Sequence, residues 1–370
     1  MTLRPALPRL LIVLLAMGCA PMRDAPSRFT SDSGRFSARV DEHGTLTLGE
    51  RSIPFPETAS PEARALYVRI MRDAIARAAP DAPSPFASLE AAIAGGQQRL
   101  RVRNEIALVR HGATAEEQML GGVRTIRVTP RVVESREPAR VLVNLHGGAF
   151  LFYSGSVVEA VPVATFAQIP VVAIDYRMPP AHPFPAALDD VVAVYRALLE
   201  HHRPEDIGFY GTSAGANLTA ATVLRLDQEG LPRPGAIAVI SYGGGDSLAT
   251  NDGLDPYLST FGGSDSGLDP IALYAAGHDV EDPLITPLKG DFRGAPPALL
   301  VTGTRDLFLS GTTRLHLRML QQGVDARLVV FDAMWHGFDA DVNVDEEIPE
   351  AVEASRLIAR FFREQLGRTD

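Results

Sequence analysis

From residue 122 onward, short apolar runs alternate with helical stretches, and this pattern limits the fold more than any other feature of the chain. The runs are Val123–Val128, Val141–Leu145, Val171–Ile174, Ile207–Tyr210, Ala236–Ile240, Ala298–Thr302 and Arg327–Phe331. Most are continuously apolar, as strands are when both faces of their sheet are covered. Between them, Ala186–His201, Ala214–Gln228 and Thr312–Gln322 read as helices, and Ile348–Glu364 closes the chain as an amphipathic helix. The pattern predicts an α/β fold with a mostly parallel central sheet and helices on both faces.

The region before residue 122 lacks this alternation. Phe36–Leu48 alternates around His43-Gly44 and predicts a small hairpin. Ser60-Pro61-Glu62 opens a helix, with Ser as cap and Pro in the first turn, and Ala79-Pro80 ends it. A second, short helix is expected near Ser84-Pro85 and a third over about Gln98–Val109. Further upstream, Arg4 and Arg9 flank the start of an apolar run, Leu10–Met17, that is too short to span a bilayer. Gly18-Cys19 follows at once, and Cys19 is the single cysteine of the 370 residues. A small residue and then Cys after such a run looks like a bacterial lipoprotein signal, in which the thiol is acylated; an ordinary cleaved signal is the alternative. The expected partner is then a membrane, reached through a lipid on Cys19. The expected location is an exported lipoprotein facing the periplasm.

One cysteine excludes an intrachain disulfide and a cysteine-rich metal module. A net charge of −10 argues against a nucleic-acid partner, which needs a basic footprint. Asp246, Asp252, Asp255, Asp265 and Asp269 lack the tight spacing of a calcium loop and read as solvated, so no metal and no cofactor are expected.

The chemistry centres on Gly211-Thr212-Ser213-Ala214-Gly215, between an apolar strand and a helix. That is the context a G-x-S-x-G nucleophile turn requires, and Ser213 is the candidate nucleophile. Val141–Leu145 runs into His146-Gly147-Gly148-Ala149-Phe150. Its glycines let backbone N–H groups approach a developing oxyanion, so Gly147, Gly148 and, after the nucleophile, Ala214 are the candidate donors. His146 is too close to the strand end to swing onto Ser213 and reads as structural. Asp306 and His336 each follow a late strand, and Ser213, Asp306 and His336 stand in the chain order of an α/β-hydrolase triad. Asp332 and Asp325 are rivals for the acid, and His278 and His316 for the base. Phe150, Phe152 and Tyr153 are candidates for an acyl-pocket wall, with core packing an equal alternative.

Together these segments resemble the hormone-sensitive-lipase-like family of bacterial esterases. Asp175-Tyr176-Arg177 and His182-Pro183-Phe184-Pro185-Ala186-Ala187-Leu188-Asp189-Asp190 add to the resemblance. Ile53-Pro54-Phe55-Pro56 through Ser60-Pro61-Glu62-Ala63 is also similar to members that hydrolyse monoterpene lactones and small esters. The resemblance implies an α/β-hydrolase fold with an N-terminal helical cap, and a structural role for Asp175, Tyr176 and Arg177. The expected organisation is a signal over 1–18, a tether over 19–35, a hairpin and cap over 36–115 and a catalytic domain over 116–370. The expected activity is serine-dependent hydrolysis of a small-molecule ester or lactone through an acyl-enzyme. A serine peptidase, a lipase and a non-catalytic binding lipoprotein are the alternatives.

Overall fold

The computed structural model describes residues 38–48, 50–77, 88–135, 139–243, 269–340 and 347–367. The leader, the tether, Cys19 and the acidic stretch from Asp246 to Asp265 lie outside them.

The described chain opens with β1 (Ala38–Val40), β2 (Leu46–Leu48) and β3 (Arg51–Ile53), followed by α1 (Pro61–Arg77) and α2 (Leu89–His111). The main sheet and its covering helices follow: β4 (Thr114–Leu120), β5 (Val123–Thr129), β6 (Val141–Leu145), α3 (Ala160–Ala167), β7 (Val171–Ile174), α4 (Ala186–Leu199), β8 (Ile207–Thr212) and α5 (Ala214–Gln228). The last elements are β9 (Ala236–Ile240), α6 (Pro270–Ala275), β10 (Ala298–Arg305), α7 (Leu309–Gln321), β11 (Ala326–Trp335) and α8 (Pro349–Gln365).

Eight strands form one sheet in the order β11-β10-β9-β8-β6-β7-β5-β4. The pairs from β11 to β7 are parallel, whereas β5 pairs antiparallel with both β7 and β4. Strands β6, β7, β8 and β9 are buried at every position, which is why their sequences are mostly apolar. Two apolar cores cover the sheet. One holds α3, α8 and the N-terminal helices, and the other holds α4, α5 and α7.

The sequence-predicted strands are all present. Four elements were not foreseen, one of them α6, a helix of six residues capped by Asp269. β3 adds a third strand to the predicted hairpin. β4 is an edge strand whose positions are mostly exposed, so it carries no apolar signal. α3 is a single short helix that is buried almost throughout, so it lacks a polar face to mark its period. The separate helix expected over Gln98–Val109 is instead the second half of α2, a continuous helix of 23 residues capped by Ser88. Gly95-Gly96 does not break it, and Gly96 is buried where the helix meets the Phe152 ring.

The N-terminal elements are bound to the C-terminal ones. The Ser60 Oγ accepts the Ala63 N–H, at 3.0 Å, and so caps α1. The same hydroxyl donates to Glu350 Oε2 on α8, at 2.8 Å, and the Ser60 N–H donates to Oε1, at 2.7 Å. Thr58 donates to Asp332 Oδ2 beyond the predicted core of β11, at 2.5 Å.

Candidate active site

Parallel strands place all their following loops at one edge of the sheet. Leu145 at the end of β6 is level with Gly211 near the end of β8, so the oxyanion-loop candidate and the nucleophile turn emerge side by side. Arg305 and Trp335 are likewise paired at the ends of β10 and β11, and Asp306 and His336 follow them directly.

Ser213 sits at φ +59° and ψ −116°, a conformation that non-glycine residues rarely adopt, at the turn into α5. The turn is crowded on both sides. A Cβ on Gly211 would lie 2.4 Å from the Leu145 carbonyl oxygen, and one on Gly215 only 1.7 Å from it. Both glycines of the motif are therefore required by backbone contact. The Ser213 N–H donates to the Ile240 carbonyl on β9 at 2.9 Å, which holds the strained residue in place.

Ser213 Oγ lies 2.9 Å from His336 Nε2, and His336 Nδ1 lies 2.9 Å from Asp306 Oδ1. The imidazole and carboxylate are fully buried. Asp306 Oδ1 also accepts the Phe308 N–H, at 2.9 Å, and Oδ2 accepts the Thr302 hydroxyl, at 2.8 Å. Burial opposes charge on this carboxyl, but the His336 ring, with the Ser241 side chain and the Phe308 N–H, outweighs it and holds Asp306 below the usual carboxylate range. The chain Ser–His–Asp thus has the geometry for moving a proton from a hydroxyl to an imidazole whose cation an acid stabilises.

The rivals stand elsewhere. His316 Nε2 is 3.2 Å from the Ala326 carbonyl, and His278 packs edge-on against Phe184, centroids 5.2 Å apart. Asp332 accepts from Thr58 and Thr304, and Asp325 precedes β11.

The oxyanion loop differs from expectation at one donor. The Gly147 N–H is directed at Glu159 Oε1, 2.9 Å away, and is not free for a substrate. The N–H groups of Gly148, Ala149 and Ala214 have no acceptor among the described residues. Ala149 thus replaces Gly147 as a candidate donor. The sequence concealed the exchange because Glu159 stands 12 residues beyond Gly147, just before α3, with no motif around it. Ala149 and Phe150 have left-handed backbone, φ +54° and +58°, so the loop turns sharply after Gly148.

His146 is structural. It stacks on Tyr176 with centroids 4.2 Å apart, and its Nδ1 is 2.6 Å from the Gly147 carbonyl. Burial pushes its pKa down, which keeps the ring neutral. The Tyr176 hydroxyl donates to the His146 carbonyl, at 2.7 Å. Asp175 accepts the Ser154 hydroxyl and the Gly155 N–H, each at 2.8 Å, and Arg177 pairs with Asp190. The Asp175 contacts pin the segment after the oxyanion loop, and the Arg177 pair ties the end of β7 to α4.

Phe150, Phe152 and Tyr153 do not form one wall. Phe150 stacks on Tyr274, centroids 3.9 Å apart, in the core with α4 and α5. Phe152 and Tyr153 belong to the opposite core and face α2, where Arg103 lies 6.0 Å from the Tyr153 ring. Phe150 leaves this tight loop on the side opposite to Phe152 and Tyr153, which the sequence did not reveal. No cluster of three or more potential metal-ligating side chains occurs among the described residues.

A family model described as the alpha/beta hydrolase fold matches residues 142–340. The chain belongs to that family. This α/β hydrolase is 30% identical over 250 residues to an esterase of Acinetobacter venetianus, covering 65% of this chain and 80% of the relative. It is similar to the crystal structure of esterase E25, with a TM-score of 0.71 and 34% identity over 86% of this chain and 98% of that one. It is also similar to an esterase of the bacterial hormone-sensitive lipase family, with a TM-score of 0.71 and 27% identity over 83% of this chain and 99% of that one. The protein is hormone-sensitive-lipase-like within the α/β hydrolases.

Proposed function

We propose that this α/β hydrolase is a serine carboxylesterase acting on small to medium acyl esters or lactones. The observation that carries the reading is the unbroken Ser213–His336–Asp306 hydrogen-bond chain, 2.9 Å at each link, beside a loop with unengaged N–H groups. The esterase relatives support the same class.

In this mechanism His336 removes the Ser213 proton as Oγ attacks the ester carbonyl. The tetrahedral oxyanion receives the Gly148, Ala149 and Ala214 N–H groups. His336 passes its proton to the leaving alcohol, and an acyl-Ser213 ester remains. A water that gives its proton to His336 then attacks the acyl carbon, and collapse of the second oxyanion returns the proton to Ser213 and frees the acid. Asp306 fixes the imidazole tautomer and stabilises its cation. Elements β1 to α2 are the proposed cap, and Cys19 is the proposed lipid attachment of an exported, membrane-anchored protein.

The test is a panel of aryl esters of increasing acyl length plus lactones, run with wild type and Ser213→Ala. The expected result is turnover of short and medium esters by wild type alone. Equal rates for the two proteins overturn the reading. A rate jump above the solubility limit of the substrate moves the assignment to a lipase, and release of amines from aminoacyl amides moves it to a peptidase. For localisation, Cys19→Ser is expected to release the protein from membranes, and retention refutes the anchor.

A further inference from the structure

Two buried carboxyl groups lie behind the candidate triad, and neither belongs to it. Glu159 is 6% exposed and Asp339 8%. Glu159 Oε1 accepts the Gly147 N–H, at 2.9 Å, and Oε2 lies 3.3 Å from Asn144 Nδ2 on β6. Asp339 Oδ2 accepts the hydroxyl of Thr212, the residue before the nucleophile, at 2.7 Å. One carboxyl therefore grips the oxyanion loop and the other the nucleophile turn.

Neither carboxyl makes a close ion pair among the described residues. The charged and titratable groups acting on Glu159 are Asp339 beyond β11 and Arg103 on α2, and Glu159 in turn acts on Tyr176 after β7 and Tyr210 on β8. The Tyr210 hydroxyl donates to the Glu159 main-chain carbonyl, at 3.4 Å. Burial, reinforced by Asp339, pushes Glu159 up to about 8, and burial pushes Asp339 up to about 6. The Gly147 and Asn144 N–H donors oppose the rise at Glu159 without cancelling it. Asn144 Oδ1 is buried without a partner, and turning over the Asn144 amide lets a protonated Oε2 donate to it.

We propose that Glu159 is a positioning residue for the esterase reaction: its carboxyl takes up the Gly147 N–H and so sets the backbone that presents the Gly148 and Ala149 N–H groups to the oxyanion. The proposal rests on the esterase reading and deepens it. Gly147 is the pivot because it directly follows His146, whose carbonyl is held by Tyr176. Fixing the carbonyl before Gly147 and the N–H that follows it immobilises that peptide, and the loop beyond can then only turn at Gly148. Without the carboxyl, a buried N–H lacks an acceptor and the peptide turns to find one.

The experiment compares Glu159→Ala and Glu159→Gln with wild type in three readouts: kcat and KM on p-nitrophenyl acetate, inhibition by an alkyl trifluoromethyl ketone that mimics the oxyanion, and amide exchange of residues 146–150. Glu159→Ala is expected to lower kcat about 100-fold, the scale of losing one oxyanion donor, with KM changed by less than about threefold. Trifluoromethyl ketone affinity is expected to fall by the same factor as kcat, and exchange of the Gly147 amide to quicken. Glu159→Gln keeps a neutral acceptor and is expected to restore kcat to within about fivefold of wild type and the slow exchange with it. Unchanged kcat and unchanged exchange in Glu159→Ala overturn the proposal. So does a loss in Glu159→Gln as deep as in Glu159→Ala. If wild type hydrolyses no ester, the esterase reading fails, and the Gly147 exchange rates alone then decide whether Glu159 holds the loop.

Discussion

Substituting Gly215 by Ala tests whether the junction of β6 and α5 is as tight as its geometry implies. The added Cβ would lie 1.7 Å from the Leu145 carbonyl oxygen, 2.6 Å from the Leu145 carbonyl carbon and 2.8 Å from the His146 carbonyl oxygen. An ordinary carbon–oxygen contact is about 3.3 Å or more, so helix and strand must separate by roughly 1.5 Å. Neither side gives easily. Leu145 pairs with Ile174 on one side and Gly211 on the other and is completely buried. Overpacking against movable side chains costs about 1–3 kcal/mol. Against fixed backbone the penalty is expected to exceed about 4 kcal/mol, the range reached only by severe core lesions. At about 2–4 °C per kcal/mol for domains of roughly this size, the midpoint of thermal unfolding should fall by 8 °C or more. Gly96→Ala is the matched control. Its Cβ meets only the Phe152 ring, at 3.4 Å, within the long helix α2. Alanine in a helix interior gains about 0.5–1 kcal/mol over glycine, so Gly96→Ala should melt slightly higher. Circular dichroism melts of the three proteins, with kcat measured on any folded Gly215→Ala, make the comparison. A shift near 1 Å at Ser213 should also lower kcat about 100-fold. A Gly215→Ala protein with unchanged melting and unchanged kcat refutes the reasoning.

Three further outcomes are expected. Asp306→Asn should lower kcat about 10³–10⁴-fold with KM little altered, because the imidazole loses its tautomer and its counter-charge; steady-state kinetics on an aryl acetate measures this. Glu159 at about 8 lies above the ordinary value of 4.5, so the native chain holds a proton that the unfolded chain releases, and stability should fall as pH rises from about 4.5 to 8. That fall is of the order of a few kcal/mol; urea unfolding across this range should show it in wild type and find it smaller in Glu159→Gln. Arg305, 4% exposed, lies 4.6 Å from the Tyr67 ring centroid and 5.0 Å from that of Phe55, and it donates to the Pro54 carbonyl, at 2.7 Å. Arg305→Ala should cost about 2 kcal/mol in chemical denaturation and speed proteolysis within residues 38–60, and an unchanged cleavage pattern would count against this clasp.

The sequence alone determined what local rules govern. Continuous apolar runs mark strands covered on both faces, because burial acts on each residue where it stands, and β6, β7 and β9 begin and end where those runs do. The Gly211–Gly215 turn was legible because a strand bending straight into a helix tolerates no side chain on either flank. Asp306 and His336 were legible by their places after late strands. Tertiary structure decided what depends on partners far apart in the chain. Whether Gly147 or Ala149 offers an N–H turns on a carboxyl group 12 residues beyond Gly147. Phe150 and Phe152 part to opposite cores through the backbone twist between them. Arg305 meets Phe55 and Tyr67 only because β10 ends beneath the N-terminal segment. A hydrogen bond or a ring contact is fixed by distance in space, and no pattern in the neighbouring residues records which distant group will fill it.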